Sequence, residues 1–142
     1  MINKTLIFYL LVVILFTPVA VFSNENGKSR LEAILRSVGR PRLIYPDNKV
    51  IDLAAKKALK FQWALTTSTL VTLDYIEFYL YKGEVIHERD LVFKKQLANN
   101  EYSLEVDSAL FEDGQSYIWG IRQFFLRGDG SNENFILFKA YK

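Results

Sequence analysis

The sequence predicts an all-β chain folded as an antiparallel β-sandwich. Short apolar stretches alternate with polar residues at period two over most of its length. Turn residues separate these stretches roughly every ten positions. The segment Phe111-Glu112-Asp113-Gly114-Gln115-Ser116-Tyr117-Ile118-Trp119 reads as a tight corner feeding a strand, with Tyr117 and Trp119 on one face.

Bulk properties bound the rest. A chain of 142 residues, 50% hydrophobic, holds one domain with a real core. Its 18 basic and 16 acidic residues leave a net charge of +2, which argues against nucleic acid as the main partner. With no cysteine there is no disulfide framework, thiolate metal site or cysteine nucleophile. The aromatic content of 15%, mostly Tyr and Phe, suits β-sheet surfaces.

The N-terminus has the layout of a secretory signal peptide over residues 1–23. Lys4 precedes an apolar run from Leu6 to Phe16, Pro18 interrupts it, and Val21-Phe22-Ser23 offers a cleavage site after Ser23. This predicts an exported protein, periplasmic or extracellular. The alternative is an uncleaved anchor, since Thr5 to Phe22 is about 18 residues, near the shortest membrane-spanning length. Only then is a membrane a partner. Pro18 and the polar exit from Ser23 to Gly27 favour cleavage. Lys28, Arg30, Arg36, Arg40 and Arg42 oppose both translocation and the usual anchor orientation. The absence of cysteine excludes a lipid-modified N-terminus.

Residues 24–40 form a linker with a short amphipathic helix. Ser29-x-x-Glu32 is a capping box, Leu31, Ile34, Leu35 and Val38 follow at helical spacing, and Gly39 and Pro41 end it. A helix of about ten residues is marginal alone. It either covers an end or edge of the following domain or serves as an arm for a partner.

The sandwich spans residues 41–142. Leu43 to Tyr45 and Val50 to Leu53 flank the turn Pro46-Asp47-Asn48. Leu59, Phe61 and Trp63 alternate with Lys60 and Gln62, which overrides the helical propensity of Ala54 to Lys60. Ile76, Phe78 and Leu80 alternate with Glu77, Tyr79 and Tyr81, and Lys82-Gly83 turns the chain. Val85 to His87 and Leu91 to Phe93 are weaker strands. Tyr102, Leu104 and Val106 alternate again, then Tyr117, Trp119 and Ile121. Arg127 to Asn132 is a loop, and Phe135 to Tyr141 the last strand.

These residues resemble a fibronectin type III domain from about Pro41 to Lys142. The carriers are Trp63, the run Ile76/Phe78/Leu80, the corner Phe111 to Tyr117, and Trp119. In that family a leucine often sits where Phe111 stands, and a tyrosine six residues later bonds back to the backbone. The resemblance implies that role for Tyr117, and a core role for Trp63, whose N–H needs a partner. The chain departs from the family at Asp113, often a proline there, and from Val85 to Asn100. Immunoglobulin-like sandwiches use similar corners.

Nothing assembles a reaction centre, so the chain reads as non-enzymatic, without cofactor or metal. His87 is the single histidine and sits among Glu88, Arg89 and Asp90, too few ligands for zinc. The acids are scattered through turns, and Asp129, Asn132, Glu133 and Asn134 lack calcium-loop spacing. There is no phosphate-cradling glycine loop and no nucleophile elbow.

Two features point to binding. Arg127-Gly128-Asp129 lies in the last loop, where integrin-binding fibronectin type III domains carry the same tripeptide; the same residues are also ordinary turn chemistry. The second feature is the outer face of one sheet. With Ile76, Phe78 and Leu80 inward, Tyr75, Tyr79 and Tyr81 lie near the other side. With Tyr117, Trp119 and Ile121 inward, Ile118, Gly120, Arg122 and Phe124 face outward. One of the pairs Ile136/Phe138 and Phe135/Leu137 joins them. The expectation is a face rich in Tyr, Phe and Arg with few acids, composition that suits a protein interface. The partner expected is a protein of the envelope or outside the cell, met by this face or by an exposed sheet edge. Carbohydrate stacking on the tyrosines and a structural role in an envelope assembly are the alternatives.

Overall fold

The computed structural model describes residues 38–47, 49–126 and 131–142. The signal peptide, nearly all of the expected helix, and Arg127, Gly128 and Asp129 lie outside the described residues. The described strands are β1 (Arg42–Tyr45), β2 (Val50–Asp52), β3 (Ala58–Ala64), β4 (Leu73–Lys82), β5 (Leu91–Ala98), β6 (Ser103–Asp107), β7 (Gln115–Phe125) and β8 (Ser131–Tyr141). They form two sheets, ordered β1-β3-β6 and β2-β8-β7-β4-β5. The β2–β8 pair is parallel and the other pairs are antiparallel.

Period-two alternation builds the core between the sheets. Leu59, Phe61 and Trp63 of β3 face Ile76, Phe78 and Leu80 of β4 and Tyr117, Trp119 and Ile121 of β7, and all are buried. Phe61 meets Phe78 and Trp119 edge-on, with ring centroids 4.9 and 5.0 Å apart. Both indoles find acceptors. Trp63 Nε1 donates to the Glu101 carbonyl at 2.9 Å, and Trp119 Nε1 to the Pro46 carbonyl at 3.0 Å.

Pro46 also marks where the first strand changes sheets. β1 pairs with β3, setting Leu43 against Trp63, and β2 pairs with β8, setting Ile51 against Ala140. Proline has no N–H to continue a ladder, so pairing with β3 stops there. At the corner, the Glu112 N–H donates to Tyr117 Oη at 2.8 Å. Gly114, at φ 68°, supplies the left-handed turn residue. Gln123 is a buried polar side chain on β7. Its Nε2 donates to the Thr66 carbonyl at 2.8 Å and its Oε1 accepts the Thr66 N–H at 3.4 Å. The amide thus ties the β3–β4 connection to the sheet, as a neighbouring strand would.

Several boundaries differ from expectation. Val85 to His87 is not a strand. Gly83, at φ 108°, turns the chain into an exposed loop, and among the described residues no strand pairs with Val85 and Ile86. His87 instead precedes a 3-10 turn, Glu88–Asp90, and its carbonyl accepts the Asp90 N–H at 3.0 Å. β5 extends beyond Phe93 to Ala98, through Lys94, Lys95 and Gln96. As an edge strand it lacks the apolar alternation of a central one. Tyr102 precedes β6 and is exposed. β8 begins at Ser131, inside the expected loop, because the 11-residue β7 provides a partner that far. Asn134 there donates to the Pro41 carbonyl at 3.0 Å, and Asn132 to the Val38 carbonyl, fixing the entering chain.

Candidate functional site

Phe138 and Ala140 are buried between the sheets, so Phe135 and Leu137 take the other side of β8. Register then sets four rows across the outer face of the five-stranded sheet. Tyr75 lies beside Phe124. Next comes Glu77–Arg122–Glu133, then Tyr79–Gly120–Phe135, then Tyr81–Ile118–Leu137. All five residues expected to bind, Tyr75, Tyr79, Tyr81, Arg122 and Phe124, therefore share one face.

Their exposure divides them. Tyr79, Tyr81 and Ile118 are only 6%, 8% and 8% exposed and form a second apolar cluster with Phe135 and Leu137. The two tyrosine rings lie parallel with centroids 6.0 Å apart, and Phe135 tilts against both at 6.3 Å. Phe135 reaches them across β7 because Gly120 has no side chain. A Cβ at Gly120 would run into the Phe135 ring and the Asn134 carbonyl. Lys94 and Arg122 lie over the Tyr79 ring, 5.0 and 5.3 Å from its centroid. Lateral packing by long side chains thus removes most of the surface of both tyrosines.

The charges around Tyr79 are paired. Lys94 Nζ is 2.9 Å from Glu77 Oε1, and Arg122 Nε donates to Glu133 Oε2 at 2.6 Å. Tyr79 Oη donates to Glu77. Burial alone would push the Glu77 carboxyl up. The hydrogen bonds from Tyr79 and Lys94, with the charges of Lys94 and Arg122, outweigh burial and hold it below its usual value. Burial, helped by the Glu77 hydrogen bond, pushes the Tyr79 phenol up. The expectation of few acids on this face is corrected: Glu77 and Glu133 each neutralise one of its cations.

Tyr75 and Phe124 remain partly open. Their rings stack with centroids 4.5 Å apart and 12° between planes. Leu126 follows Phe124 along the chain and is 50% exposed, while Leu70, in the β3–β4 connection, is 66% exposed. A shallow hollow of about 260 Å³ lies at the other end, by Lys49, Glu84, Ser116 and Lys139. Among the described residues no three His, Cys, Asp or Glu side chains group to hold a metal, and no helix is long and apolar enough to cross a membrane.

The outward positions of β7 were legible in alternation. The parts missed were Lys94, whose strand was read as ending at Phe93, and the acidic partners. Glu77 carried a signal, since it alternates in phase with Tyr79 and Tyr81.

Two sheets in this order, with a sheet-switching first strand and a tyrosine corner, define a fibronectin type III-like, immunoglobulin-like β-sandwich. A solved structure agrees. Fibronectin(III)-like modules of Clostridium thermocellum CbhA superpose with a TM-score of 0.50 at 11% identity, covering 71% of this chain and 96% of that one. Murine CRIg matches with a TM-score of 0.41 at 12% identity, covering 73% and 100%. At 11% identity the likeness to the fibronectin(III)-like modules shows the fold alone. No protein-family model and no curated protein matches the sequence.

Proposed function

We propose that the chain is an exported, non-enzymatic module that binds another protein of the envelope or extracellular space through the outer face of its five-stranded sheet. The observation that carries this reading is the half-open Tyr75–Phe124 stack beside the Arg122–Glu133 pair. Aromatic and arginine side chains dominate binding energy at protein interfaces, particularly where packing has already fixed their rotamers. Tyr79, Tyr81 and Phe135 brace this surface from the neighbouring rows of the same face more than they contact a partner.

A protein fits better than a sugar. Stacking on a sugar wants an open ring face, and Tyr79 and Tyr81 offer little. Arg127-Gly128-Asp129 stays a secondary contact in this proposal, following the end of β7 beyond Phe124. Export rests on the N-terminal pattern alone.

The test is crosslinked affinity capture of the tagged chain from its native envelope, compared with a Tyr75→Ser/Phe124→Ser variant of unchanged near-ultraviolet circular dichroism. The proposal expects a defined protein captured by the parent and lost in the variant. The same protein captured equally by both would overturn the assignment of the face.

A further inference from the structure

β5 ends the five-stranded sheet, and its backbone shows which groups it offers beyond that edge. Ala98 directs both of its groups to Glu101. Its carbonyl accepts the Glu101 N–H at 3.2 Å, and its N–H donates to Glu101 Oε1 at 3.2 Å. Ala98 therefore turns its hydrogen-bonding groups away from β4. In an antiparallel ladder this direction alternates residue by residue. The register between β4 and β5 is unbroken from Tyr75↔Ala98 to Leu80↔Phe93. Gln96 and Lys94 consequently present their N–H and C=O groups to the open side. Glu101 closes the Ala98 end, so the free edge is short and set in position.

Of the side chains along it, Lys94 is neutralised by Glu77, the Glu101 carboxylate lies at the Ala98 end, and Lys95 carries the unneutralised charge at its centre. Lys94 stands on the tyrosine face and is held by Glu77 at 2.9 Å. Lys95 stands on the opposite face, level with buried Phe78, yet is itself exposed. Among the described residues no carboxylate forms an ion pair with Lys95. An inward-facing lysine on an edge strand works against pairing with a second copy of the same edge. Two-fold pairing centred at Lys94 or at Lys95 sets a lysine directly against its own copy. Centring at Gln96 would use the Ala98 groups that Glu101 already holds. Like charges directly opposite destabilise a strand pair, whereas opposite charges stabilise it.

We infer that the open edge of β5 is a second binding site that takes an extended acidic peptide segment as an added antiparallel strand. Backbone bonds form to Lys94 and Gln96, and an incoming carboxylate lies opposite Lys95. The same lysine that rejects a second copy selects the acidic strand. This site is separate from the Tyr75–Phe124 surface and stands whether or not that surface binds protein.

The experiment titrates the whole chain with a seven-residue threonine/valine peptide carrying two central glutamates. A control peptide carries lysines at those positions. Backbone amide resonances and amide exchange are followed. The inference expects shifts and slowed exchange at Lys94 and Gln96 with the glutamate peptide only. Lys95→Glu, at an exposed position, should weaken that peptide at least tenfold and admit the lysine peptide. Three results would overturn the inference: no response at Lys94 and Gln96, equal binding of both peptides, or shifts confined to Tyr75 and Phe124. Concentration-dependent self-association of the parent, seen by light scattering with the same amides protected, would also overturn it, by making a second copy the occupant.

Discussion

Gly120→Ala is the sharpest probe of how the sheet builds its outer face. In an ordinary strand interior, alanine is favoured over glycine by about 0.5–1 kcal/mol. Here the added Cβ meets the Phe135 ring and the backbone carbonyl of Asn134. The ring can swing, but the carbonyl belongs to the adjacent strand. Overpacking of this kind costs about 1–3 kcal/mol. Swinging Phe135 out also uncovers Tyr79 and Tyr81, and half of a phenylalanine's burial is worth about 1 kcal/mol. The clash wins over propensity, with a net loss of about 2 kcal/mol. For a domain of about 100 residues that lowers Tm by roughly 8–16 °C. Urea and thermal denaturation read this directly. In the Gly120→Ala/Phe135→Ala double variant the ring's share of the clash is gone, so the pair should cost at least ~0.5 kcal/mol less than the sum of the singles. A Gly120→Ala variant as stable as the parent, or strict additivity with Phe135→Ala, would show that Gly120 does not set the seat of Phe135.

Other variants test single links. Tyr117→Phe removes the acceptor of the Glu112 N–H at the corner and should cost about 1–3 kcal/mol of stability, read as a lower denaturant midpoint at unchanged m-value. Gln123→Leu keeps the volume but strands both backbone groups of Thr66, so amide exchange at Thr66 and its neighbours should speed up while β7–β8 exchange holds. The Glu77 carboxyl is held below its usual value in the folded chain, so its stabilisation is complete above the unfolded value of 4.5 and is lost as pH falls through the lower folded value. Glu77→Gln should therefore flatten the acid limb of stability against pH below about 4.5, and a variant with the parent's acid limb would exclude the Tyr79–Glu77–Lys94 arrangement as its source.

The sandwich was legible because its central strands obey period two under burial from both sheets. Leu59/Phe61/Trp63, Ile76/Phe78/Leu80 and Tyr117/Trp119/Ile121 carry that pattern in full, and the spacing of Phe111 and Tyr117 marks the corner bond. Edges and ends were harder to read. β5 pairs on one side only, so Lys94, Lys95 and Gln96 could stand in a strand without apolar alternation. Asn132 reads as a loop residue and Asn134 falls short of the expected last strand, yet both are strand residues whose amides bind the entering chain. The face itself was half legible. Alternation placed Tyr79, Arg122 and Phe124 on it, whereas the burial of Tyr79 and Tyr81 depends on Gly120 letting Phe135 cross, a relation between three strands that no single stretch encodes.

On the proposed reading, the module meets another protein through the outer face of its five-stranded sheet. Site-specific photocrosslinking in the native envelope tests it most directly, with the photoreactive residue placed at Phe124 or, as a control, at exposed Lys60 on the outer side of the three-stranded sheet. The expected result is one discrete adduct from position 124 and none from position 60. Equal adducts from both positions, or an adduct from position 60 alone, would contradict it.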